Sequence, residues 1–226
     1  MRLAKPHLDI GLFTTDVPAH CAFWGEEVGL RLDHRLEVSP DWVQYRYDAN
    51  GSVIKVNHRA GGLTTQPPSG LTGLTIARSG LTNSWAGKHP DGDPVELVAP
   101  DTDGIVGIGI TLSSRDPERL AHFYAMALDF ERLERDVLRC GDTIVRIVDG
   151  PSGSDVDDFA ATGFRYLTVQ VFDADEVVAA AVRGGGRVVR DVANLAGVAR
   201  YGFVSDPDGN WIEISARTSL TGTEVT

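Results

Sequence analysis

The stretch Pro207-Asp208-Gly209-Asn210-Trp211-Ile212-Glu213-Ile214 decides how this chain folds. Its Asp-Gly pair predicts a tight turn, because glycine adopts a positive φ angle without strain. The residues after the turn alternate, which predicts a strand with Ile212 and Ile214 on the core face and Glu213 on the opposite face. A carboxylate in that position has to be hydrated, paired with a cation or bound to a metal.

The same turn and strand occur earlier in the chain, at Pro90-Asp91-Gly92-Asp93-Pro94-Val95-Glu96-Leu97, 117 residues before the second copy. Each half that ends in such a turn starts with a half-buried strand and a helix opened by a capping residue and a proline. These helices carry the aromatic pairs Phe23-Trp24 and Phe123-Tyr124. The recurrence predicts a chain built from repeated strand-helix-strand-strand-strand modules.

One of these modules is shortened. Gly73 and Glu96 are 23 residues apart, whereas the corresponding Tyr166 and Glu213 are 47 residues apart. The difference of 24 residues is about the length of one helix and the strand after it. We therefore predict an α+β protein of four βαβββ modules, the second of which is truncated.

A break at residues 99–104, rich in Pro, Asp and Gly, separates the two halves. It predicts an N-terminal domain at 1–100 and a C-terminal domain at 101–217. The polar residues 218–226 are expected to form a flexible tail.

Composition narrows the range of functions. The chain has 226 residues, 42% of them hydrophobic, and a formal net charge of −11 without a basic run, which argues against nucleic-acid binding. No apolar stretch reaches membrane-spanning length, and the N-terminus lacks the apolar segment of a signal peptide. Cys21 and Cys140 have no metal-binding spacing and are expected to be reduced thiols. These features predict a cytoplasmic protein.

The repeated order of a strand, a capped helix with an aromatic pair and a Pro-Asp-Gly-x-x-(Val/Ile)-Glu strand resembles the vicinal oxygen chelate superfamily. That superfamily includes glyoxalases, extradiol dioxygenases, fosfomycin-modifying enzymes and bleomycin-binding resistance proteins. The resemblance covers roughly residues 7–215. It implies paired modules that curl into two cups of antiparallel strands, with the helices outside and the ligand inside.

In that superfamily the metal ligands come from the strands that line a cup and include a Glu near the end of the last strand. In the first domain the resemblance places these positions at Asp9, Lys55, Gly73 and Glu96. In the second domain it places them at Gly109, Arg146, Tyr166 and Glu213. Only the two glutamates match the usual ligands.

Lys55 and Arg146 place a cation where the superfamily has a metal ligand. One interpretation is that internal ion pairs, Lys55–Glu96 and Arg146–Glu213, replace the metals. The other is that the second cup binds an anionic or oxygen-rich ligand and carries acid-base chemistry. In this second interpretation the predicted catalytic residues are Glu213, Arg146 and Tyr166, and the predicted ligand-binding residues are Trp211, Thr168, Gln170 and Tyr201.

A divalent metal (Fe, Mn, Zn or Ni) in the N-terminal domain is a third alternative. His7 and Asp9 share a strand face, and together with Glu96 they resemble a facial triad. The cations that replace the usual ligands would repel a metal, however. The main expectation is therefore a protein without a cofactor.

Two functions remain open at this point, and both have a small organic molecule as the partner. The first is an enzyme related to lyases, isomerases or ring-cleavage oxygenases. The second is a metal-free protein that sequesters a small molecule, as bleomycin-binding proteins do. The truncated module is also expected to leave Leu74 and Ile76 without a helix of the chain to cover them, and a second subunit in a homodimer is one way of covering them.

Overall fold

The computed structural model describes residues 1–224. The strands are β1 Asp9–Phe13, β2 Arg31–Ser39, β3 Trp42–Ala49, β4 Ser52–Arg59, β5 Leu71–Ala77, β6 Trp85–Lys88, β7 Pro94–Val98, β8 Ile108–Ser114, β9 Glu131–Arg132, β10 Val137–Cys140, β11 Thr143–Asp149, β12 Gly163–Gln170, β13 Arg187–Leu195, β14 Ala199–Ser205 and β15 Trp211–Arg217. The helices are α1 Val17–Ala22, which continues as a π-helical turn at Phe23–Glu27, α2 Pro117–Ala127, α3 Ala174–Arg183 and α4 Thr218–Thr221.

The helices of the first, third and fourth modules each start at an aspartate that caps them. The side chains of Asp16, Asp116 and Asp173 accept a hydrogen bond from the backbone N–H three residues further on. This satisfies one of the N–H groups that a helix start leaves without a partner. The second module has no helix between β5 and β7, as the shorter spacing predicts. The segment predicted as a flexible tail begins with α4, and residues 225 and 226 lie outside the described part of the chain.

The strands form two curled sheets, with the orders β13-β14-β15-β12-β1-β4-β3-β2 and β6-β7-β5-β8-β11-β10-β9. The first sheet combines the first and fourth modules, and the second sheet combines the second and third. The expectation that modules of the same half share a cup is therefore corrected. Each sheet contains strands from before and after residue 100. The predicted domains 1–100 and 101–217 therefore do not coincide with the sheets.

The first strands of the modules make the contacts that decide this pairing. β1 runs antiparallel to β12, with Asp9 opposite Thr168, and β5 runs antiparallel to β8, with Thr75 opposite Gly109. Every residue of β1 and β12 is buried. Strands that are buried on both faces belong in the interior of a sheet, where both of their edges are hydrogen-bonded.

One apolar core contains residues of both sheets, and it includes Leu74 and Ile76 of the truncated module. These two side chains are only 1% and 2% exposed within the single chain. They share the core with Phe23 and Trp24 of the first module, and the Phe23 ring also lies 6.2 Å from the ring of Trp85 on β6. The prediction that the chain leaves these two residues uncovered is therefore wrong.

The first Pro-Asp-Gly turn links its own sheet to the other one. The Asp91 carboxylate accepts a hydrogen bond from Nε2 of His20 on α1, at 2.9 Å. The Asp93 carboxylate accepts one from the backbone N–H of Phe164 on β12, at 2.7 Å. Both donors belong to the modules of the eight-stranded sheet, whereas the turn precedes β7 of the seven-stranded sheet.

The second Pro-Asp-Gly turn makes the reciprocal link. The Asp208 carboxylate pairs with Arg119 on α2, and Oδ1 of Asn210 accepts from the backbone N–H of Gly70 at 2.6 Å. These partners belong to the modules of the seven-stranded sheet, whereas this turn precedes β15 of the eight-stranded sheet. The motif that identifies the repeat therefore also joins the two sheets.

No helix in residues 1–224 is long and apolar enough to span a membrane.

Candidate functional site

The eight-stranded sheet curls around a pocket of about 500 Å³, which includes the space at its open mouth. Polar and charged side chains from both modules of the sheet line part of it: Gln44, Arg46, Lys55, Tyr166, Glu213, Ser215 and Arg217. Apolar and aromatic side chains line the remainder: Leu36, Val38, Trp42, Leu195, Val198, Ala199, Tyr201 and Phe203. A concave, largely apolar pocket with a few converging polar groups is typical of a small-molecule site.

An ion pair of Lys55 and Glu213 forms the floor of this pocket. Nζ of Lys55 lies 2.7 Å from Oε2 of Glu213 and 2.6 Å from Oγ1 of Thr168. The Thr168 hydroxyl in turn donates to the same carboxylate oxygen at 2.8 Å. Because Lys55 is only 2% exposed, its charge depends on these acceptors.

Burial and neighbouring charges shift the pKa values of the charged side chains in and behind the pocket floor. It lowers the pKa of Lys55, while the negative charges of Glu213 and Asp9 act in the opposite direction. Burial alone would raise the pKa of Asp9, but the positive charges of Lys5 and Lys55 outweigh it and the pKa is lowered. Asp9 accepts hydrogen bonds from Lys5 at 2.6 Å and from the backbone N–H of Val53 at 2.9 Å. It therefore forms a second layer of negative charge behind the pocket floor.

Tyr166, one of the predicted catalytic residues, lies beside the floor of the pocket and is a poor proton donor. Its hydroxyl accepts hydrogen bonds from the side-chain amides of Gln44 at 3.3 Å and Asn57 at 3.2 Å. Burial, together with the charge of Glu213, raises its pKa above the usual range. The phenol therefore stays protonated at neutral pH, and it can only donate a hydrogen bond to a ligand.

The predicted ligand-binding residues have different environments. Tyr201 lines the pocket, and Thr168 contributes to its floor. Trp211 is buried and stacks on Phe159, with ring centroids 4.5 Å apart and planes inclined by 15°. Trp211 was predicted to bind a ligand, but an aromatic ring from the loop before β12 lies against it. Gln170 is buried at the end of β12, outside the pocket lining.

The predicted ion pairs Lys55–Glu96 and Arg146–Glu213 do not form. Lys55 pairs with Glu213, whereas Glu96 lies exposed on β7 in the other sheet. Arg146 lies on β11 of that sheet, at 3.5 Å from Asp103, and both side chains are well exposed. The reason is the pairing of the modules, which brings the positions of the first module together with those of the fourth.

The sequence prediction missed Gln44, Arg46 and Arg217. Trp42, Gln44 and Arg46 alternate along β3, so their side chains point to the same face of the strand. That alternation was visible in the sequence, but only the pairing of the first with the fourth module directs this face into a pocket that contains Glu213.

The residues at the superfamily's metal position do not fit a divalent ion. An ammonium group sits between Glu213 and Thr168, and its charge opposes that of a metal. The predicted metal ligands His7, Asp9 and Glu96 are not brought together either. His7 pairs with Asp142 at 2.7 Å, Asp9 lies behind Lys55, and Glu96 belongs to the other sheet. The structure thereby corrects this grouping.

A different group, His20, His89 and Asp91, has potential ligand atoms within 4.8 Å of one another. Nδ1 of His20 accepts from the Trp24 indole at 3.2 Å, so Nε2 carries the proton that is donated to Asp91. Nδ1 of His89 accepts from the backbone N–H of Asp91 at 3.2 Å, so its Nε2 donates to Asp93 at 2.9 Å. The spacing suits one ion, but binding it would require these hydrogen bonds to break.

Comparisons with known proteins agree with this architecture. Residues 108–214 match the family model described as Glyoxalase/Bleomycin resistance protein/Dioxygenase superfamily. This stretch belongs to that superfamily. The superfamily stretch contains the third and fourth modules and therefore contributes one module to each sheet.

Solved structures extend the likeness of the fold to nearly the whole chain. Glyoxalase I from Zea mays has a TM-score of 0.70 at 16% identity, with 95% of this chain and 92% of that chain covered. A mutant of the same enzyme gives 0.74 at 14% identity, with 99% and 96% covered. A Bacillus subtilis protein described provisionally as a dioxygenase gives 0.67 at 15% identity, with 95% and 86% covered. At such identities the likeness shows the fold alone, and no curated protein sequence matches the chain.

Proposed function

We propose that this protein is a metal-independent enzyme that transfers a proton on a small organic substrate, in a lyase or isomerase reaction. The observation that carries the proposal is the buried ion pair of Lys55 and Glu213 at the floor of the pocket. Ionisable groups that are paired, desolvated and placed in a cleft are frequent at catalytic sites.

Glu213 is the group that would accept the proton. Its Oε2 atom already accepts from Lys55 and Thr168, while no donor in residues 1–224 reaches Oε1. Oε1 therefore keeps its lone pairs for a proton on a substrate carbon or oxygen. Lys55 supplies a fixed positive charge next to the place where negative charge develops on the substrate, and that arrangement lowers the barrier of proton abstraction.

The test is proton exchange, because it requires no knowledge of the natural product. Protein treated with a chelator is incubated in D₂O with a panel of small aldehydes, ketones and carboxylic acids, and the loss of C–H signals is followed by ¹H NMR. We expect exchange on at least one compound, and we expect Glu213→Gln to slow it by roughly 10²-fold or more.

Glu96→Gln is the matched control. Glu96 is the equivalent of Glu213 after the first Pro-Asp-Gly turn, but it lies exposed on the seven-stranded sheet. This substitution should leave the exchange unchanged. Exchange that requires an added divalent metal, or that Glu96→Gln slows as much as Glu213→Gln does, would contradict the proposal.

The aromatic walls of the pocket support a second candidate, a metal-free binding protein. Trp42, Tyr201 and Phe203 line the pocket, and Tyr201, the only one of the three that is not buried, offers an aromatic surface to a planar molecule. In that case ligands would raise the unfolding temperature without any turnover. The exchange experiment separates the two candidates, since a binding protein gives no exchange with any compound.

A further inference from the structure

Three cations converge on the pocket, and only one of them has an anionic partner. Arg46 on β3 lies directly opposite Lys55 on β4, and Arg217 lies at the end of β15. Like charges opposite each other in a sheet are destabilising. Glu213 neutralises Lys55, but in residues 1–224 no carboxylate lies within 4.0 Å of the guanidinium groups of Arg46 or Arg217.

Arg46 has a buried hydrogen-bond donor without an acceptor. The residue is only 5% exposed, and one of its terminal nitrogens donates to the side-chain oxygen of Gln44. Its Nε atom is buried and has no hydrogen-bond partner. A buried polar group without a partner costs about 1–3 kcal/mol, so the hydrogen-bonding capacity of this arginine is not fully satisfied within the chain.

The charge of the pocket is opposite to that of the whole chain. The cations in and behind its floor are Lys5, Arg46, Lys55 and Arg217, and the anions are Asp9 and Glu213. The site is thus positive in a protein whose formal net charge is −11. Burial and the nearby charge of Arg46 lower the pKa of Arg217, while the negative charges of Glu213 and Asp9 act in the opposite direction. An anion between the two guanidinium groups would relieve their mutual repulsion.

We infer that Arg46 and Arg217 bind the oxyanion of an organic acid, a carboxylate or a phosphate ester, whose planar apolar part lies against the aromatic wall. Guanidinium groups hold both kinds of oxyanion through two parallel hydrogen bonds. Trp42, Tyr201 and Phe203 form the wall beside the two arginines. The inference rests on the proposed function for its placement of the substrate, because it assigns the anionic end to the arginines and the reacting end to Glu213.

Three probes of similar size test the inference: benzoate, phenyl phosphate and the neutral benzamide. Binding to the intact chain is measured by calorimetry and through the fluorescence of the tryptophans, one of which, Trp42, lines the pocket. We expect benzoate or phenyl phosphate to bind at least tenfold more tightly than benzamide, and the stronger of the two identifies the oxyanion.

Arg217→Met should weaken binding of that anion at least tenfold. This arginine is only partly buried, so the variant is expected to fold, and its thermal unfolding is measured alongside. Arg183→Met is the matched control, because Arg183 lies exposed on α3, outside the pocket lining, and its replacement should leave the affinity unchanged. Arg46→Lys provides a second variant that keeps the charge but loses the two-point hydrogen bonding, and it should also weaken binding.

The inference is overturned if neither anion binds, if benzamide binds as tightly as the anions, or if a folded Arg217→Met variant keeps the full affinity. Glu213→Gln separates this result from the proposed function. It removes a negative charge from the pocket, so anion binding should be kept or strengthened, while proton exchange is lost. Arginine-dependent binding without any proton exchange would support the anion site and contradict the proposed reaction.

Discussion

At the scale of single residues, Lys55 shows what a buried charge requires. Its ammonium group has Glu213 and Thr168 as hydrogen-bond acceptors, and the carboxylate of Asp9 acts on it from behind. Each acidic group likewise depends on the lysine for its charge balance. Removing one member of such a set leaves the others as uncompensated buried charges.

We predict that Lys55→Met lowers the free energy of unfolding by roughly 3–5 kcal/mol, since it leaves the partly buried Glu213 without its cation and removes one of the two lysines that balance the charge of Asp9. Urea unfolding followed by circular dichroism measures the change. The double variant Lys55→Met, Glu213→Leu should recover part of the loss because it removes both members of the pair. If Lys55→Met alone were as stable as the unaltered chain, the carboxylates around Lys55 would not depend on its charge.

Asp206 provides a prediction about pH. Burial raises its pKa from 3.8 to about 6, although it accepts hydrogen bonds from Tyr124 and Asn210. Between pH 4 and pH 6 the folded chain therefore holds a proton that the unfolded chain has released. This contribution to stability is fully present below about pH 4 and is lost as the pH rises through about 6.

The Asp206→Asn variant cannot titrate at this position, so it lacks that contribution to the pH dependence. We expect the stability of the unaltered chain relative to this variant to fall by roughly 2–3 kcal/mol from pH 4 to pH 6.5. Urea unfolding of both proteins across this range checks it. Parallel stability curves would mean that the carboxyl titrates normally in the folded chain.

At the scale of elements, strand β1 passes unusually close to a side chain of its neighbour β12. A Cβ atom at Gly11 would lie 2.0 Å from Cε1 of Tyr166, well inside the contact distance of two carbon atoms. The glycine thus makes room for the ring that borders the pocket. The sequence of β1 gives no sign that a tyrosine ring of β12 lies at this position.

We predict that Gly11→Ala displaces the Tyr166 ring and lowers the free energy of unfolding by roughly 1–3 kcal/mol, the usual cost of overpacking. Gly61→Ala is the control, because a Cβ atom at Gly61 meets nothing within 4 Å. It should change the stability by less than about 0.5 kcal/mol. Thermal and urea unfolding compare the two. Equal effects of both substitutions would show that a Cβ atom at Gly11 is accommodated without strain.

At the scale of the whole molecule, most elements of the repeat were predictable and the pairing of the modules was not. Alternation indicated strands such as β1 and β12, capping aspartates indicated the helices, and the 24-residue difference indicated the truncated module. Neighbouring elements in a chain usually neighbour each other in space, so joining consecutive modules was the reasonable expectation. That expectation failed because the pairing of strands that lie far apart in the sequence leaves no signal in the local pattern of residues.

That one error explains the difference between the predicted and the observed site. The retained Glu213 and the unusual Lys55 were both recognised in the sequence, each as a residue facing a charge of opposite sign. They were assigned to separate cups, although they are 2.7 Å apart. Arg46 and Arg217 were missed because their shared pocket exists only when the first and fourth modules meet.

The pairing of the first module with the fourth has a consequence for chain connectivity. Met1, Arg2, Thr221 and Thr223 line one cleft, so a short glycine-serine linker can join residue 1 to residue 223. Opening the chain between the exposed residues Gly61 and Gly62 would then give the module order two, three, four, one. In this circular permutant each sheet is made by modules that follow each other in sequence.

We predict that this permutant folds and loses no more than about 2 kcal/mol of stability, since the opening lies in an exposed loop. A permutant opened between Asp208 and Gly209 is the control, and it should fail to fold because it cuts the buried turn that fastens the two sheets. Circular dichroism and benzoate binding compare the two. Failure of the first permutant would show that the order of synthesis guides the modules to their partners, whereas its success would show that the fold does not depend on the order of the modules along the chain.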